Sequence, residues 1–225
     1  MPVFLLDESL IFPHPDQSEP DGLLAVGGDL SPDRLILAYR MGIFPWYHEG
    51  QPILWWWLCP RLMVRPLNVH ISHSVRNFIN RKVYHITFDR AFRQVMEACS
   101  AIPRQGQSGT WIMPEMIDAY TKLHEMGYAH SVEVWEGDTL AGGLYGIALG
   151  YMFTGESMFA LRPNASKIGF VALAQHLDKM GYRWMDCQQD TPHMRTLGAD
   201  TIHEPLYLDI LRQNLRVPDP VGKWS

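Results

Sequence analysis

The residues best suited to chemistry lie near the end of a predicted strand, in the run Met185-Asp186-Cys187-Gln188. Side chains alternate between the faces of a strand, so Asp186 and Gln188 are expected on one face and Cys187 on the other. A carboxylate beside an amide can accept hydrogen bonds from an attacking amine and orient it. The alternative is a strand that ends in polar residues, with Asp186 anchoring a loop. This is the commoner meaning of an isolated Asp-x-Gln pair.

A second candidate is Glu156, which stands inside the apolar strand sequence at residues 155–159. A buried carboxylate needs a partner, and such groups cluster at functional sites. An exposed strand position explains the pattern equally well.

Two tryptophans lie in loop sequences framed by proline or glycine. Trp46 follows Phe44-Pro45, and Trp111 follows Gly109-Thr110. Two indoles in such loops could hold a nucleic-acid base between them. Packing in the core is the more frequent use of a single tryptophan.

The histidines and cysteines give weaker signals. His70 and His73 have helical spacing but no third ligand nearby, so a surface pair is expected rather than a metal site. Cys187 has no base that could activate it as a nucleophile. The sequence contains neither a Gly-x-Gly-x-x-Gly run nor a P-loop, so no metal and no nucleotide cofactor are predicted.

The elements that position these residues follow from periodicity and end signals. Helices are predicted at residues 32–41, 89–100, 114–127 and 167–180, the first with Ser31 as N-cap and Gly42 beyond its end. Strands are predicted at residues 131–135, 140–148, 151–159 and 183–188. A polar, glycine-bearing loop covers residues 104–110. Three consecutive antiparallel strands, a crossover helix and a further strand favour a mixed α/β sheet.

Composition restricts the class of protein. The 225 residues are 47% hydrophobic, with a net charge of -5. That charge argues against a duplex-coating protein but allows contact with the end of an RNA. Three widely spaced cysteines indicate a reducing compartment, and neither a signal peptide nor a membrane span is predicted. We expect a cytoplasmic protein with a small domain at residues 1–62 and a larger one at residues 63–225.

Seven segments appear in an order typical of one family. They are residues 23–32, 42–46, 109–112, 130–135, 155–159, 164–167 and 186–188. Together they resemble the bacterial leucyl/phenylalanyl-tRNA–protein transferases, over residues 10–210. The resemblance implies a larger domain with the fold of the acetyl-CoA-dependent N-acetyltransferases (the GNAT fold), built on a mixed, largely antiparallel sheet. It also implies an enzyme without coenzyme A, whose donor is the aminoacyl-tRNA itself.

By resemblance, the enzyme transfers leucine, phenylalanine or methionine from tRNA to proteins beginning with Arg or Lys, which creates a degradation signal. Catalysis would fall to Asp186 and Gln188, with Asp186 or a ribose hydroxyl of the tRNA carrying the proton. The residues implied in substrate binding are Trp46 and Trp111 for the terminal adenosine, Leu144 and Phe153 for the amino-acid side chain, and Glu156 and Tyr120. The tRNA acceptor stem would meet Arg76, Arg81 and Lys82. A monomer is expected.

The chain departs from the family pattern near the donor site. Relatives carry a Trp-Trp-Ser-Pro-Asp-Pro-Arg-like segment where this chain reads Trp-Trp-Trp-Leu-Cys-Pro-Arg at residues 55–61.

Three other functions stay open. They are a coenzyme A-dependent acetyltransferase, a non-catalytic module that binds basic N-termini or tRNA ends, and an aminoacyl-tRNA transferase acting on a cell-wall precursor.

Overall fold

A computed structural model of the chain describes residues 3–103 and 110–224. The loop predicted at residues 104–110 lies outside these ranges, except for Thr110. Within them the chain forms one sheet of four strands and one of seven, with helices packed around both. The predicted mixed α/β class is confirmed.

The smaller sheet comes from the first quarter of the chain. Its strands are β1 (Phe4–Leu6), β2 (Leu23–Gly27), β3 (Phe44–Pro45) and β4 (Leu54–Trp56), in the order β1-β2-β4-β3. Helix α1 (Pro32–Arg40) joins β2 to β3. Its predicted ends are confirmed to within one residue, with Pro32 opening the helix and Gly42 beyond its end at a φ of 74°. Glycine adopts that conformation without steric cost.

The larger sheet is antiparallel except for one pair of neighbours. Its strands are β5 (Arg61–Val64), β6 (His85–Phe88), β7 (Ala129–Glu136), β8 (Thr139–Leu149), β9 (Met152–Ala160), β10 (Trp184–Asp186) and β11 (Asp200–Ile202). The order is β11-β5-β10-β9-β8-β7-β6, and only β9 and β10 run parallel within the described residues. The mixed, largely antiparallel sheet is as predicted, and the three strands β7 to β9 are confirmed to within two residues at either end.

Six further helices flank the larger sheet in the described part of the chain. They are α2 (His73–Asn80), α3 (Phe92–Ala101), α4 (Pro114–Glu125), α5 (Ala165–Lys179), α6 (Pro192–Thr196) and α7 (Glu204–Asn214). The prediction that α3 begins at residue 89 was wrong. Asp89 takes a φ of 56°, and its carboxylate contacts His130 and the amide of Ser131. No described helix has both the length and the apolar composition needed to cross a membrane.

A continuous hydrophobic core connects the two sheets. It contains Ile43 and Trp55 from the smaller-sheet region together with Tyr145 and Ile147 from β8. Trp55 is fully buried, and its indole nitrogen donates to the carbonyl of Gly27 at 2.9 Å, so the indole leaves no polar group unpaired. The predicted domain boundary after residue 62 falls within β5, and the division into two domains stays a prediction.

Candidate active site

The site forms where β9 and β10 part. The two strands pair in parallel as far as Thr154 opposite Asp186, and β9 then continues to Ala160 without β10. On the other side of β9 the pairing with β8 shifts by one residue, from Tyr145 opposite Ser157 to Gly146 opposite Gly155. Glu156 is therefore the extra residue of a β-bulge, a feature that re-aims a side chain beside a site.

A glycine permits this bulge. A Cβ added at Gly146 would lie 2.2 Å from the carbonyl oxygen of Thr154 and 2.5 Å from the ring of Phe153. Both contacts are far too short for a real side chain, so Gly146 allows β8 and β9 to approach closely at the level of Glu156.

Asp186 is held by three donors. Arg61 Nε lies 2.8 and 3.0 Å from the two carboxylate oxygens, the amide of Gln188 donates to Oδ1 at 2.8 Å, and the hydroxyl of Tyr207 donates to Oδ2 at 3.1 Å. The side chains of Asp186 and Arg61 are 0% and 1% exposed, so this is a fully buried ion pair. Burial opposes the charge on Arg61, but the adjacent Asp186 carboxylate outweighs it and raises the pKa of the guanidinium.

Glu156 faces a different environment. It accepts from Gln188 Nε2 at 2.7 Å and from the Tyr120 hydroxyl at 3.4 Å, and the Tyr120 hydroxyl in turn bonds to that of Tyr39. Burial raises the pKa of Glu156 from 4.5 to about 7, against the opposing effects of the hydrogen bonds and of Arg61. A carboxyl group with a pKa near neutrality is suited to accept and release a proton at physiological pH.

The strand prediction for residues 183–188 was wrong at its end. β10 stops at Asp186, so alternation does not govern the next two residues. Gln188 takes a φ of 59°, which turns its backbone amide toward Asp186 while its side chain reaches Glu156. Cys187 was expected on the opposite face of the strand, but it lines the same cavity as Asp186 and Gln188. Burial raises the pKa of the Cys187 thiol well above its ordinary value, which disfavours the nucleophilic thiolate.

A cavity of about 330 Å³ opens between the parted strands. Its wall contains Asp186, Gln188 and Glu156 together with Trp46 and Trp111. The apolar part of the lining contains Leu144, Phe153, Phe170, Leu173, Met185 and Met194. The structure thus brings most of the predicted site residues to one cavity.

Four predicted site residues lie elsewhere. Tyr120 is fully buried behind Glu156 and is not among the residues that line the cavity, and its contact with substrate stays a prediction. Arg76, Arg81 and Lys82 are exposed on α2 and just beyond its end, outside the cavity lining. His73 begins α2 and His70 precedes it, and both stay outside the buried core, as expected for a surface pair.

Arg61, Tyr207 and Tyr39 were not predicted. Arg61 carries a signal of the same kind as Glu156, a charged residue in an apolar strand that must find a partner if buried. The two tyrosines carry none, because the Tyr207 hydroxyl meets the Asp186 carboxylate, and the Tyr39 hydroxyl meets that of Tyr120, through contacts distant in sequence. Among the residues that the structure describes, no group of three His, Cys, Asp or Glu side chains could hold a metal ion.

A cavity with an apolar lining, two indoles in its wall and a titratable carboxylate linked to an amide has the construction of an enzyme active site. Two sequence profiles match this chain, that of the leucyl/phenylalanyl-tRNA protein transferases over residues 63–212 and that of their N-terminal domain over residues 28–57. The leucyl/phenylalanyl-tRNA–protein transferase of Maridesulfovibrio salexigens is 54% identical over 100% of this chain and 94% of its own length. That of Myxococcus xanthus is 46% identical, over 100% and 97%.

The chain belongs to the leucyl/phenylalanyl-tRNA protein transferase family and is an aminoacyltransferase. The GCN5-related N-acetyltransferase from Kribbella flavida is more distantly similar, with a TM-score of 0.39 and 11% identity over 76% of this chain and 60% of that one. A conserved protein of unknown function from Bacteroides thetaiotaomicron reaches a TM-score of 0.47 at 12% identity, over 71% and 57%. These two likenesses are too distant to carry an argument.

Proposed function

We propose that this enzyme transfers leucine or phenylalanine, with methionine as a further donor residue, from its tRNA to the α-amine of proteins beginning with Arg or Lys. The product would carry a new N-terminal residue that marks it for degradation. The observation that carries the proposal is the cavity itself, which combines an apolar lining with Glu156 and Gln188 in hydrogen-bond contact at its wall.

The donor would enter with its terminal adenosine at Trp46 and Trp111 and its side chain against Leu144 and Phe153. Every nucleic-acid base has a face that stacks on an indole, and each stack contributes about 1–3 kcal/mol. Leu144 and Phe153 are 2% and 1% exposed. A charged side chain there would lose its hydration without gaining a partner, so the lining favours apolar amino acids.

Glu156 is the proposed proton acceptor. The amine nitrogen of the acceptor attacks the ester carbonyl of the aminoacyl-tRNA, the bond from that carbon to the ribose oxygen breaks, and the ribose leaves as a hydroxyl. The amine gives up one proton and the ribose oxygen takes up one. Glu156, with its pKa at about 7 and its side chain at the cavity wall, is suited to take the first proton, and the ribose hydroxyls offer a parallel path.

Asp186 is assigned a different role from the one expected of it. Its carboxylate already accepts from Arg61, Tyr207 and the amide of Gln188, and its side chain is fully buried. We therefore assign it to holding Gln188, whose side-chain amide contacts Glu156 and would orient the amine or the carbonyl. Orientation of bound reactants lowers the barrier by several kcal/mol.

Contacts beyond the 3′ end are assigned to the exposed basic residues of the α2 region. Arg76, Arg81 and Lys82 would meet phosphates of the acceptor stem, and their exposure leaves them available to do so. A few phosphate contacts suffice when the cavity holds the 3′ end, which accords with the net charge of -5. The proposed enzyme acts as a monomer and binds no cofactor.

The test uses radiolabelled leucyl-tRNA with two peptides, one beginning with Arg and one with Ala. We expect label on the Arg peptide only. Glu156→Gln should lower the transfer rate by about 10²-fold or more, the usual contribution of a general base. The matched control is Glu125→Gln, at an exposed position on α4, which should keep the wild-type rate.

Each rival function has its own result. Label on neither peptide, with the enzyme folded and the tRNA intact, would overturn the proposal. Acetyl-CoA binding by calorimetry would then point to an acetyltransferase, and peptide or tRNA binding without turnover to a binding module. Transfer to a peptidoglycan precursor in place of the peptide would identify the cell-wall reaction.

A further inference from the structure

Arg61 connects two parts of the cavity wall that belong to different sheets. Its Nε contacts both oxygens of Asp186, and its Nη1 donates to the carbonyl of Gly42 at 3.2 Å. Gly42 ends the turn after α1 and leads into Phe44, Pro45 and Trp46, the segment that lines the same cavity as the carboxylates. The Arg61 side chain is thus hydrogen-bonded both to the turn that leads into the proposed donor-binding segment and to Asp186 at the end of β10.

The guanidinium of Arg61 is also packed between aromatic rings. Its central carbon lies 5.1 Å from the ring of Phe44 and 5.1 Å from that of Tyr207. A planar guanidinium stacks on ring faces and uses its fork of N–H groups at the same time, whereas the lysine ammonium is a point charge. The site therefore requires the shape of arginine as well as its charge.

The conformation of Gln188 depends on this arrangement. A φ of 59° is sparsely populated for a residue other than glycine and persists only where the surroundings hold it. Gln188 is held by Asp186, which accepts from its backbone amide at 2.8 Å, and Asp186 is held in turn by Arg61. Among the described residues, Arg61 is the only cation within ion-pair distance of Asp186.

We propose that Arg61 is a positioning residue for aminoacyl transfer, which fixes Gln188 through Asp186 and aligns the donor-binding segment of Phe44 and Trp46 with Glu156. The inference rests on the proposed function and assigns a role within that same site. Arg61 acts on the reacting atoms only through its neighbours.

Electrostatics supply a readout that a purely structural role would leave unchanged. The positive charge of Arg61 lowers the pKa of Glu156, and the negative charge of Asp186 raises it. Removal of the Arg61 charge alone leaves Asp186 uncompensated and raises the pKa of Glu156 further. Two tyrosine hydroxyls also interact with Glu156, those of Tyr39 on α1 and Tyr120 on α4. Burial raises the pKa of both hydroxyls well above 10, so they stay neutral across the range tested.

The experiment measures kcat and the KM for leucyl-tRNA from pH 5.5 to 9, with the Arg peptide as acceptor. The variants are Arg61→Lys, Arg61→Met and the doubly neutral Arg61→Met with Asp186→Asn. The limb of the pH profile that belongs to Glu156 is the one that Glu156→Gln removes, which separates it from titration of the acceptor amine.

Arg61→Met should lower kcat and move the Glu156 limb upward by about one pH unit, since an adjacent opposite charge has been removed. The double variant should return the limb to its wild-type position with kcat still low, because Gln188 has lost its anchor. Arg61→Lys keeps the charge and should leave the limb in place while kcat falls about tenfold, because lysine lacks the fork that holds Asp186 and Gly42 together. If Arg61→Met does not fold, the kcat of Arg61→Lys still tests the inference.

Wild-type kcat and KM in folded Arg61→Lys would overturn the inference. So would a loss of kcat in Arg61→Met with the Glu156 limb unmoved, which would reduce Arg61 to a packing residue. Both results leave wild-type transfer intact and the proposed function standing. Absence of transfer by the wild-type enzyme would overturn the two together.

Discussion

Glu156→Gln should make the protein more stable at pH 8 and leave its stability nearly unchanged at pH 4.5. The wild-type carboxyl group is buried, with its pKa raised from 4.5 to about 7. A group whose folded pKa lies above its unfolded pKa contributes stability below the unfolded value. That contribution is lost as the pH rises through the folded value.

The magnitude follows from the two pKa values. One pKa unit corresponds to about 1.36 kcal/mol, so the difference between 4.5 and about 7 amounts to about 3 kcal/mol. Ionised Glu156 therefore destabilises the wild-type protein by that amount at pH 8, whereas glutamine has no charge to desolvate. Glutamine has a similar shape and its carbonyl can still accept from Gln188 or Tyr120, so the weakening of hydrogen bonds is small beside the charge effect.

The assay is urea unfolding of wild type and variant at half-unit steps from pH 4.5 to 8.5. The difference in unfolding free energy should grow in favour of the variant, mostly between pH 5 and 7. Groups that titrate equally in both proteins cancel in this difference. Glu125→Gln, at an exposed position, should stay within about 0.5 kcal/mol of wild type throughout. A difference that is flat with pH, or that favours wild type at pH 8, would refute the assignment of a raised pKa to Glu156.

Three further outcomes are expected. Trp111→Ala should raise the KM for leucyl-tRNA by about 5- to 150-fold, which corresponds to the loss of one base stack of about 1–3 kcal/mol, and Trp111→Phe should have a smaller effect. An unchanged KM in steady-state kinetics would show that Trp111 is not part of the donor site. Cys187→Ala should still transfer leucine at a rate within a few-fold of wild type, because burial holds the thiol protonated. Abolished transfer in the folded variant would indicate instead that Cys187 acts as a nucleophile. Replacing Arg76, Arg81 or Lys82 with alanine should make tRNA binding less dependent on salt. The slope of log binding constant against log salt concentration should become shallower by about 0.7–0.9 for each phosphate that the variant no longer neutralises. An unchanged slope, measured by filter binding at several salt concentrations, would show that these residues do not contact phosphates.

Local patterns sufficed for the helices and strands that have clear ends. Helix α1 is bounded by Pro32 and Gly42, and β7 to β9 combine alternation with a turn at Gly137. The short strands of the smaller sheet, and α7, carry weaker periodicity and are fixed by the core that they share with β8. Glu156 could be singled out because its charge conflicts with its apolar neighbours.

The exact surroundings of the candidate residues depended on long-range pairing. The alternation rule failed at Gln188 because β10 ends at Asp186, and that end is set by where β9 and β10 separate. The bulge at Glu156 likewise exists only in the register of β8 against β9. The partner of Asp186 is 125 residues away in the chain, and no local pattern connects it to Arg61.

The two carboxylates of the site illustrate how surroundings divide chemical roles between like groups. Asp186 is surrounded by donors, including a guanidinium at 2.8 Å, so its negative charge is matched and its lone pairs are used. Glu156 accepts from two neutral donors and is buried without an ion-pair partner of its own within the described residues, which brings its pKa to about 7. A carboxylate that is ion-paired and fully hydrogen-bonded serves as a fixed charge, whereas a buried carboxyl group with a pKa near neutrality serves as a proton acceptor. Gln188 contacts Asp186 through its backbone amide and Glu156 through its side chain. A displacement of Asp186 is therefore transmitted to Glu156 through this one residue.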